Sequence, residues 1–558
     1  MNPPSMPPRT IQSPRRVSGL VATLLAGLLL AGLPAAVAAQ TAPAGEVLLE
    51  VKRFEIVGDN PLSAADTEAT LAPFLGVHKS VVTLEAAATA LENHLRDLGY
   101  SFHRVIVPAQ KPTAGVVRLE MFQFPLANVE VTGQNHFSPE NIRRSLPGLV
   151  SGTSPDINEM SRELGLANEH PSKRLTVVLK ESTTADALDA EIRVRDSSPS
   201  LAFASLVAHT RDAYDVINQN TGYARLTMGY QNSNLFDRDH ALTASFTTSP
   251  EHFDRVAQYG LFYAIPFYGY NTSLQLHYTR SDVNTGAIGI GGGGAFFNVN
   301  GRGEFMGARV THSLTKIGEF AQNVSLGIEQ KHFDGNVGFG GVPIPQSASG
   351  NRPLTLRYAA RTDQLWGGFG VHAEYITNLP GGPGNTDAGY QAARAGSGAT
   401  LNWNAVRYGL DASYLAGTWN LSARFRGQHT RSLLLPGEQF GIGGVASVRG
   451  LREREFTGDM GYTFTLEALG PALVDTLRPA FFIDHGYASL RKPASTDITA
   501  ANSETAASIG VGVRWNWKRQ LDVAVDLAHV LNGIGSSGTI AGTTPGASKL
   551  LLSVFYRF

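Results

Sequence analysis

From Ser200 to the terminal Phe558 the chain alternates an apolar residue with a polar or very small one, segment after segment. Within residues 461–469, Tyr462, Phe464, Leu466 and Ala468 fall on one side, and Thr463, Thr465 and Glu467 on the other. Residues 509–517 set Ile509, Val511, Val513, Trp515 and Trp517 against Gly510, Gly512, Arg514 and Asn516. In residues 521–527 the two sets are Leu521, Val523, Val525, Leu527 and Asp522, Ala524, Asp526. A strand turns successive side chains to opposite faces, so each segment reads as a strand with one apolar and one wet face. A soluble sandwich writes the same pattern, and the rest of the chain decides whether the apolar faces meet each other or lipid.

The N-terminus carries an export signature. Arg9, Arg15 and Arg16 precede an apolar stretch over 19–33, and Ala36-Val37-Ala38 and Val37-Ala38-Ala39 are small-residue cleavage sites. Residues 1–39 are therefore expected to be a signal peptide. No later segment offers the ~18 consecutive apolar residues of a membrane-spanning helix. An exported chain of this kind is periplasmic, secreted or an outer-membrane barrel. The chain has no Cys, which removes thiol catalysis and Cys-ligated zinc. A net charge of -1 gives no electrostatic case for nucleic acid.

Residues 47–197 have a different texture. Glu55, Ile56, Gly58, Asn60, Ser63 and Leu71 recur as Glu130, Val131, Gly133, Asn135, Ser138 and Leu146. Each unit reads as a strand (51–57; 128–132), a turn at the Gly and a helix capped by Ser63 or Ser138. A second helix (84–98; 157–167) and two more strands follow (102–107 and 116–122; 175–180 and 188–194). Strand-helix-helix-strand-strand is a small two-layer domain, and this order resembles the polypeptide-transport-associated (POTRA) domain. The expected boundaries are 47–125 and 126–197, followed by a barrel over 198–558.

Beyond Ser200 sixteen strands are predicted, starting near 201, 223, 241, 256, 272, 302, 320, 354, 367, 406, 418, 460, 477, 505, 521 and 549. Short links (236–239, 268–270, 417–418, 518–520) alternate with long ones (284–301, 335–351, 380–404, 432–459, 532–548). That parity and an even strand number describe a transmembrane barrel of antiparallel strands. The last strand runs Leu550, Leu552, Val554, Tyr556, Phe558. A terminal Phe558 with Tyr556 resembles the signal read by the barrel-assembly machinery. Trp419, Trp515 and Trp517 stand beside short turns, where an aromatic girdle belongs.

Two segments carry chemistry. The sixth long loop contains Phe440-Gly441-Ile442-Gly443-Gly444, then Val448-Arg449-Gly450-Leu451, then Gly458-Asp459-Met460-Gly461. The thirteenth strand contains Phe482-Ile483-Asp484-His485-Gly486, whose parity turns Asp484 to the lumen. A carboxylate against low-dielectric walls calls for a cation. Arg449 is the candidate if the loop folds back inside, since a guanidinium meets a carboxylate in a two-pronged geometry. Arg424, Arg426 and Gln428 share the lumenal parity of the eleventh strand; they either solvate the wall or touch a passing substrate.

With the two preceding units, these segments resemble the two-partner secretion translocators, of the haemolysin secretion/activation and filamentous-haemagglutinin transporter type. That family has a signal peptide, two POTRA domains and a sixteen-stranded barrel. Its sixth loop carries Val-Arg-Gly-aromatic and its thirteenth strand Phe-x-Asp-x-Gly. Val448, Arg449 and Gly450 match, Leu451 replaces the aromatic, and Phe482, Asp484 and Gly486 match in full. Residues 167–171 before 175–179 are also similar to the family's second POTRA domain. The resemblance implies that Arg449 and Asp484 meet in the lumen and that the loop is needed for secretion. It implies an outer-membrane transporter rather than an enzyme, with POTRA domains in the periplasm, no cofactor and no metal. Its partners would be a large, unfolded TpsA-like exoprotein, membrane lipid and, during biogenesis, the barrel-assembly machinery. One departure is expected: the family's N-terminal plug helix has only residues 40–50 to form from, about 16 Å as a helix.

The alternative within the same superfamily is an insertase that assembles other barrels; such proteins typically carry three or five POTRA units. The glycine run 289–294 fits a dinucleotide fingerprint but has no helix after it. There is no Gly-x-Ser-x-Gly of a barrel-linked esterase. His94 and Asp97 read as a solvated helix face.

Overall fold

The structure is a computed structural model. It describes residues 49–78, 81–211, 216–282, 286–290, 295–299, 303–333, 349–394, 398–491, 502–535 and 542–558. The expected signal peptide, all but the last two residues of the expected plug remnant, and glycines 291–294 lie outside the described residues.

Two small units precede the barrel, and they are built alike. In the first, Ser63 accepts a bond from the Asp66 N–H at 3.1 Å and starts the helix Ala64–Leu71. The helix Val82–Asp97 buries Leu84, Ala87, Ala88, Leu91 and Leu95, a stripe at helical spacing. It packs under a sheet whose central strand, Val116–Gln123, runs parallel to Arg53–Val57 and antiparallel to His103–Ile106. In the second unit Ser138 caps the helix Pro139–Arg144, accepting from the Asn141 N–H at 3.0 Å. Its helix Ile157–Ala167 packs under Leu126–Thr132, Leu188–Asp196 and Lys173–Glu181 in the same order and sense.

The repeated glycine has a physical cause. Gly58 and Gly133 both take positive φ, +114° and +83°. A Cβ there would lie 2.2 Å from the Met121 carbonyl oxygen and 2.6 Å from that of Val194. The chain must leave the first strand close against the central one, and only glycine permits it.

The second unit holds an acid in its core. Glu163 is 0% exposed, and the Gly148 N–H donates to both its carboxylate oxygens at 3.0 and 3.1 Å. Burial pushes its carboxyl up to about 7, with the Gly148 bond opposing and Glu159 adding to the rise. A raised folded-state value stabilises below the unfolded value of about 4.5 and is lost as pH climbs through about 7. Relative to a Glu163→Gln variant, the unit should therefore lose hydrogen-exchange protection in strand Leu188–Asp196 between about pH 5 and about pH 8. Parallel pH profiles for the two proteins would refute this.

The remaining strands close into an antiparallel barrel of sixteen, each paired with its sequence neighbours. The last, Ser548–Arg557, pairs with the first, Ser200–His209, from Leu551↔His209 to Arg557↔Phe203. The eighth is interrupted at Arg352 into Ser349–Asn351 and Pro353–Gln364, both in one register against the seventh, Phe320–Phe333. Along the thirteenth, Arg478–Ser489, Phe481 and Ile483 are about half exposed on the outside, while Ala480, Phe482, Asp484 and Gly486 are buried inside. Short turns lie at the end nearest the second small unit and long loops at the other. No helix among the described residues is long and apolar enough to cross a membrane.

The structure departs from the sequence expectations in two ways. The expected strand 51–57 is split: Leu49–Val51 pairs with Gly76–His78, while Arg53–Val57 enters the three-stranded sheet. The long connections also carry structure of their own. The third holds a hairpin (Gly286–Ile290 with Ala295–Val299), the fifth a helix (Asp387–Ala393) and the sixth a short hairpin (Phe440–Ile442 with Phe456–Gly458). These pieces are too short to show a period in sequence.

Candidate functional site

The sixth loop leaves the eleventh strand, Trp419–His429, and returns to the twelfth, Met460–Leu469, after folding into the barrel. Its short hairpin stiffens the stem. At the tip, Val448 and Leu451 are buried against Ala488, Ala506 and Val530 of the wall. Gly450 has φ +95°, and a Cβ on it would come within 2.9 Å of Val530 Cγ2. Gly486 lies beneath Val448, where a Cβ would also be 2.9 Å from Val448 Cγ2. The glycines of both motifs are what let tip and wall touch.

That seat sets Arg449 over Asp484. Arg449 Nε donates to Asp484 Oδ2 at 2.8 Å, Nη2 to Oδ1 at 3.0 Å, and the Arg449 backbone N–H to Oδ2 at 3.1 Å. The guanidinium carbon lies 3.4 Å from the Phe482 ring centroid, a cation–π contact. Asp484 is 0% exposed and Arg449 5%. The pair is not isolated. Arg449 Nη1 also donates to Glu467 Oε2 at 2.9 Å and stands 3.5 Å from Asp526 Oδ2. Arg514 bridges the same two acids at 3.2 and 2.6 Å. Two guanidinium groups thus face three carboxylates, and the loop tip supplies one of the two cations.

The stem is held separately. Glu438, buried at the head of the loop, accepts from Lys331 Nζ at 2.7 Å, Arg407 Nη2 at 2.8 Å and Asn351 Nδ2 at 3.0 Å. These donors stand on the seventh strand, the tenth (Asn404–Ala416) and the eighth, so one carboxylate ties the loop to several strands.

The three eleventh-strand candidates separate. Arg424 lines the lumen, half exposed, 3.6 Å from Asp411. Arg426 is bonded to both oxygens of Asp411 at 2.7 and 2.8 Å. Gln428 is not on the open wall. It is 3% exposed beneath the sixth loop, donates to the carbonyls of Glu438 and Asp459, and accepts from Arg407 Nε. Of the two roles expected of Gln428, neither solvating the open wall nor meeting a passing chain describes its place in this structure, where its amide supports the loop. Tyr556 and Phe558 stack edge-on with centroids 4.7 Å apart, and the Phe558 N–H donates to the Ala202 carbonyl at the barrel seam.

Sequence reasoning missed Glu467, Asp526 and Arg514. All three stand on the wet face of an alternating segment, but their convergence on Arg449 depends on strand register. It also missed how the second small unit docks. Lys173 Nζ, buried, donates to Asp239 Oδ2 at 2.5 Å, Ser145 Oγ at 2.7 Å and Asn141 Oδ1 at 2.9 Å. Asp239 belongs to the first short turn of the barrel and also accepts from Tyr268 OH at 2.6 Å and Asn141 Nδ2 at 2.9 Å. Lys173 opens a strand face that continues Leu175, Val177, Leu179. A cation heading an apolar row was the available signal.

Between wall and loop the lumen holds a cavity of about 1490 Å³, lined by both charge signs, among them Arg309, Arg357, Arg424, Glu374 and Asp411. The sixth loop lines it with Gly437, Val445, Ala446, Ser447 and Arg449.

Known proteins bear on this arrangement. The sequence model described as "Haemolysin secretion/activation protein ShlB/FhaC/HecB" matches residues 212–515. That described as "POTRA domain, ShlB-type" matches residues 49–123. Among solved structures, CdiB from Escherichia coli superposes with a TM-score of 0.68 at 14% identity, covering 94% of this chain and 93% of that one. CdiB from Acinetobacter baumannii gives 0.65 at 15% identity, covering 92% and 90%. At these identities the likeness speaks to the fold. A search of curated proteins finds no match.

Proposed function

We propose a transport route for this chain, which belongs to the ShlB/FhaC/HecB family of haemolysin secretion/activation proteins and is a two-partner secretion translocator. In that route, residues 47–125 and 126–197 are two POTRA domains in the periplasm and residues 198–558 are the outer-membrane barrel. The POTRA domains capture an unfolded TpsA-like exoprotein by strand addition to a free sheet edge, where backbone bonds make recognition tolerant of sequence. The exoprotein then threads the lumen once the loop tip leaves Asp484, and folding outside prevents its return. The barrel sits in lipid and is delivered there by the assembly machinery, for which Tyr556 and Phe558 are the recognition signal.

The observation that carries this reading is the loop tip held inside the lumen at one charged point, the Arg449–Asp484 contact. Such a contact is strong enough to close a passage and local enough to be broken in one step. The transport reading makes no use of catalysis. Second to it stands insertion of other barrels through the seam, as in the superfamily's assembly factors.

A photo-cross-linker at Arg424 separates the two. Arg424 faces the lumen, while Leu421 on the same strand is 42% exposed on the outside. With an exoprotein stalled in transit, adducts are expected from position 424 and none from 421. Adducts from 421 or from the seam strands alone would favour the insertase.

A further inference from the structure

The Gly458-Asp459-Met460-Gly461 stretch stands at the end of the sixth loop, and the contact at the tip does not use it. Asp459 is 0% exposed at the long-loop end of the barrel. Arg394 donates to both its oxygens, Nη1 to Oδ1 at 2.9 Å and Nη2 to Oδ2 at 3.0 Å. The Leu434 N–H and Gln439 Nε2 add bonds to Oδ1 at 2.9 and 3.3 Å, and the Arg491 N–H one to Oδ2 at 3.0 Å. These donors come from three different connections. Arg394 ends the helix Asp387–Ala393 of the fifth loop, Leu434 and Gln439 lie on the descending limb of the sixth, and Arg491 opens the seventh.

The surroundings are built to keep water out. Tyr390, Ala393, Ala399, Trp403, Leu434 and Leu435 form one buried cluster with Phe333 and Ile376 of the wall. Trp403 Nε1 donates to Tyr390 OH at 2.7 Å, so the polar edges of both rings are satisfied inside it. Arg394 also donates to the Leu434 carbonyl at 3.0 Å. The donors that hold Asp459 are separate from the carboxylates that hold Arg449.

We propose that Asp459 and Arg394 form a rim clasp, a second closure of the passage in series with the Arg449–Asp484 contact. Asp459 is a positioning residue. It ties the fifth-loop helix to the roots of the sixth loop, so releasing the tip alone leaves these roots in place. A carboxylate with this many donors in a dry pocket cannot lose its bidentate partner without leaving charge unpaired, which makes the clasp a two-state element rather than a soft one. The inference takes the lumen as the passage, but its test needs no exoprotein and so stands or falls separately from that reading.

The chain has no Cys, so one reporter can be placed cleanly. Ala399, 1% exposed in the fifth loop, is changed to Cys, and the rate of modification by a maleimide is measured on purified protein in detergent. Arg394→Gln should accelerate modification at least about tenfold, equal to roughly 1.4 kcal/mol on the opening equilibrium. Arg394→Lys keeps the charge without the fork and should recover part of the protection. Arg449→Ala should leave the rate unchanged. Asp459→Asn should behave as Arg394→Gln; where it does not yield a heat-modifiable barrel, Arg394→Gln, which lies outside the strands, decides alone. An unchanged rate in Arg394→Gln, no recovery with Arg394→Lys, or equal acceleration by Arg449→Ala would each overturn the clasp.

Discussion

Arg449→Ala is expected to leave a folded, heat-modifiable barrel that secretes its partner poorly, because a loop that cannot re-dock on Asp484 cannot return the lumen to its closed, receptive state. The barrel is held by its own closed ladder of hydrogen bonds, so loss of one loop contact does not unfold it. The loop is another matter. Removing the guanidinium leaves Asp484 buried without its cation and leaves Arg514 alone against Glu467 and Asp526. Breaking a buried pair from one side costs roughly 3–5 kcal/mol, enough to move a docked loop to a mostly undocked one. Asp484→Ala should be milder, because Arg449 then keeps Glu467 at 2.9 Å and Asp526 at 3.5 Å. The double mutant should match Arg449→Ala, since the first change already removes what the second would. A charge swap should not rescue, for it would set an aspartate at position 449 beside two other acids. Strict additivity of secretion losses in the double-mutant cycle, or a loss with Asp484→Ala larger than with Arg449→Ala, would sink this account.

The asymmetry could not be read from the chain alone. Asp484 and Arg449 were legible because each stands in a short motif, and because parity turns Asp484 inward past Phe481 and Ile483. Glu467, Arg514 and Asp526 were visible only as the wet half of their strands. What brings them to Arg449 is the pairing of the twelfth through fifteenth strands, such as Thr465↔Asp484 and Gly512↔Asp526. Register is a long-range property, and alternation repeats every two residues, so it says which face but not which neighbour. Gln428 shows the same limit from the other side: its inward parity was right, and the loop that covers it was not predictable from the strand. The two small units were more legible, because capping and turn chemistry are local. Ser63, Ser138, Gly58 and Gly133 mark their elements within a few residues of one another. The helix Asp387–Ala393 is 7 residues long, too few to show a helical stripe, and with it Arg394 escaped notice.

Lys173→Met should loosen the second small unit's seat on the barrel. Lys173 and Asp239 are each almost wholly buried, and the bond between them is the buried ion pair of an interface whose other polar contacts are mostly neutral, among them Asn141 with Asn234, Arg144 with the Asp237 carbonyl, and His170 and Ser172 with Ser233. Burial works to raise the Asp239 carboxyl, but the Lys173 ammonium and the Tyr268 hydroxyl hold it below its usual range. Without Lys173 the carboxylate keeps Tyr268 and Asn141 as donors but no full positive charge closer than Nε2 of His170 at 3.8 Å. Burial depresses protonation of that histidine, so it is a poor substitute. The expected cost is again roughly 3–5 kcal/mol, and here it falls on a docking equilibrium rather than on a fold. Opposing it are Tyr268, which inserts into the unit's apolar core, the bonds of Asn141, Arg144, His170 and Ser172 to the first short turn and its flanking strand, and the outer contacts of Arg162 with Thr315 and of Glu169 with Arg361. Those outer contacts are solvent-exposed and weak. Spin labels at Val150→Cys and Lys518→Cys report the result directly. Wild type should give one narrow distance distribution and Lys173→Met a broad one, with secretion falling in step. Lys173→Met combined with Asp239→Asn should narrow the distribution again, because neither charge is then left buried alone. A distribution unchanged by Lys173→Met would mean that the apolar contact of Tyr268 and the neutral bonds around it, and not the ion pair, set the angle at which the captured chain is presented to the lumen.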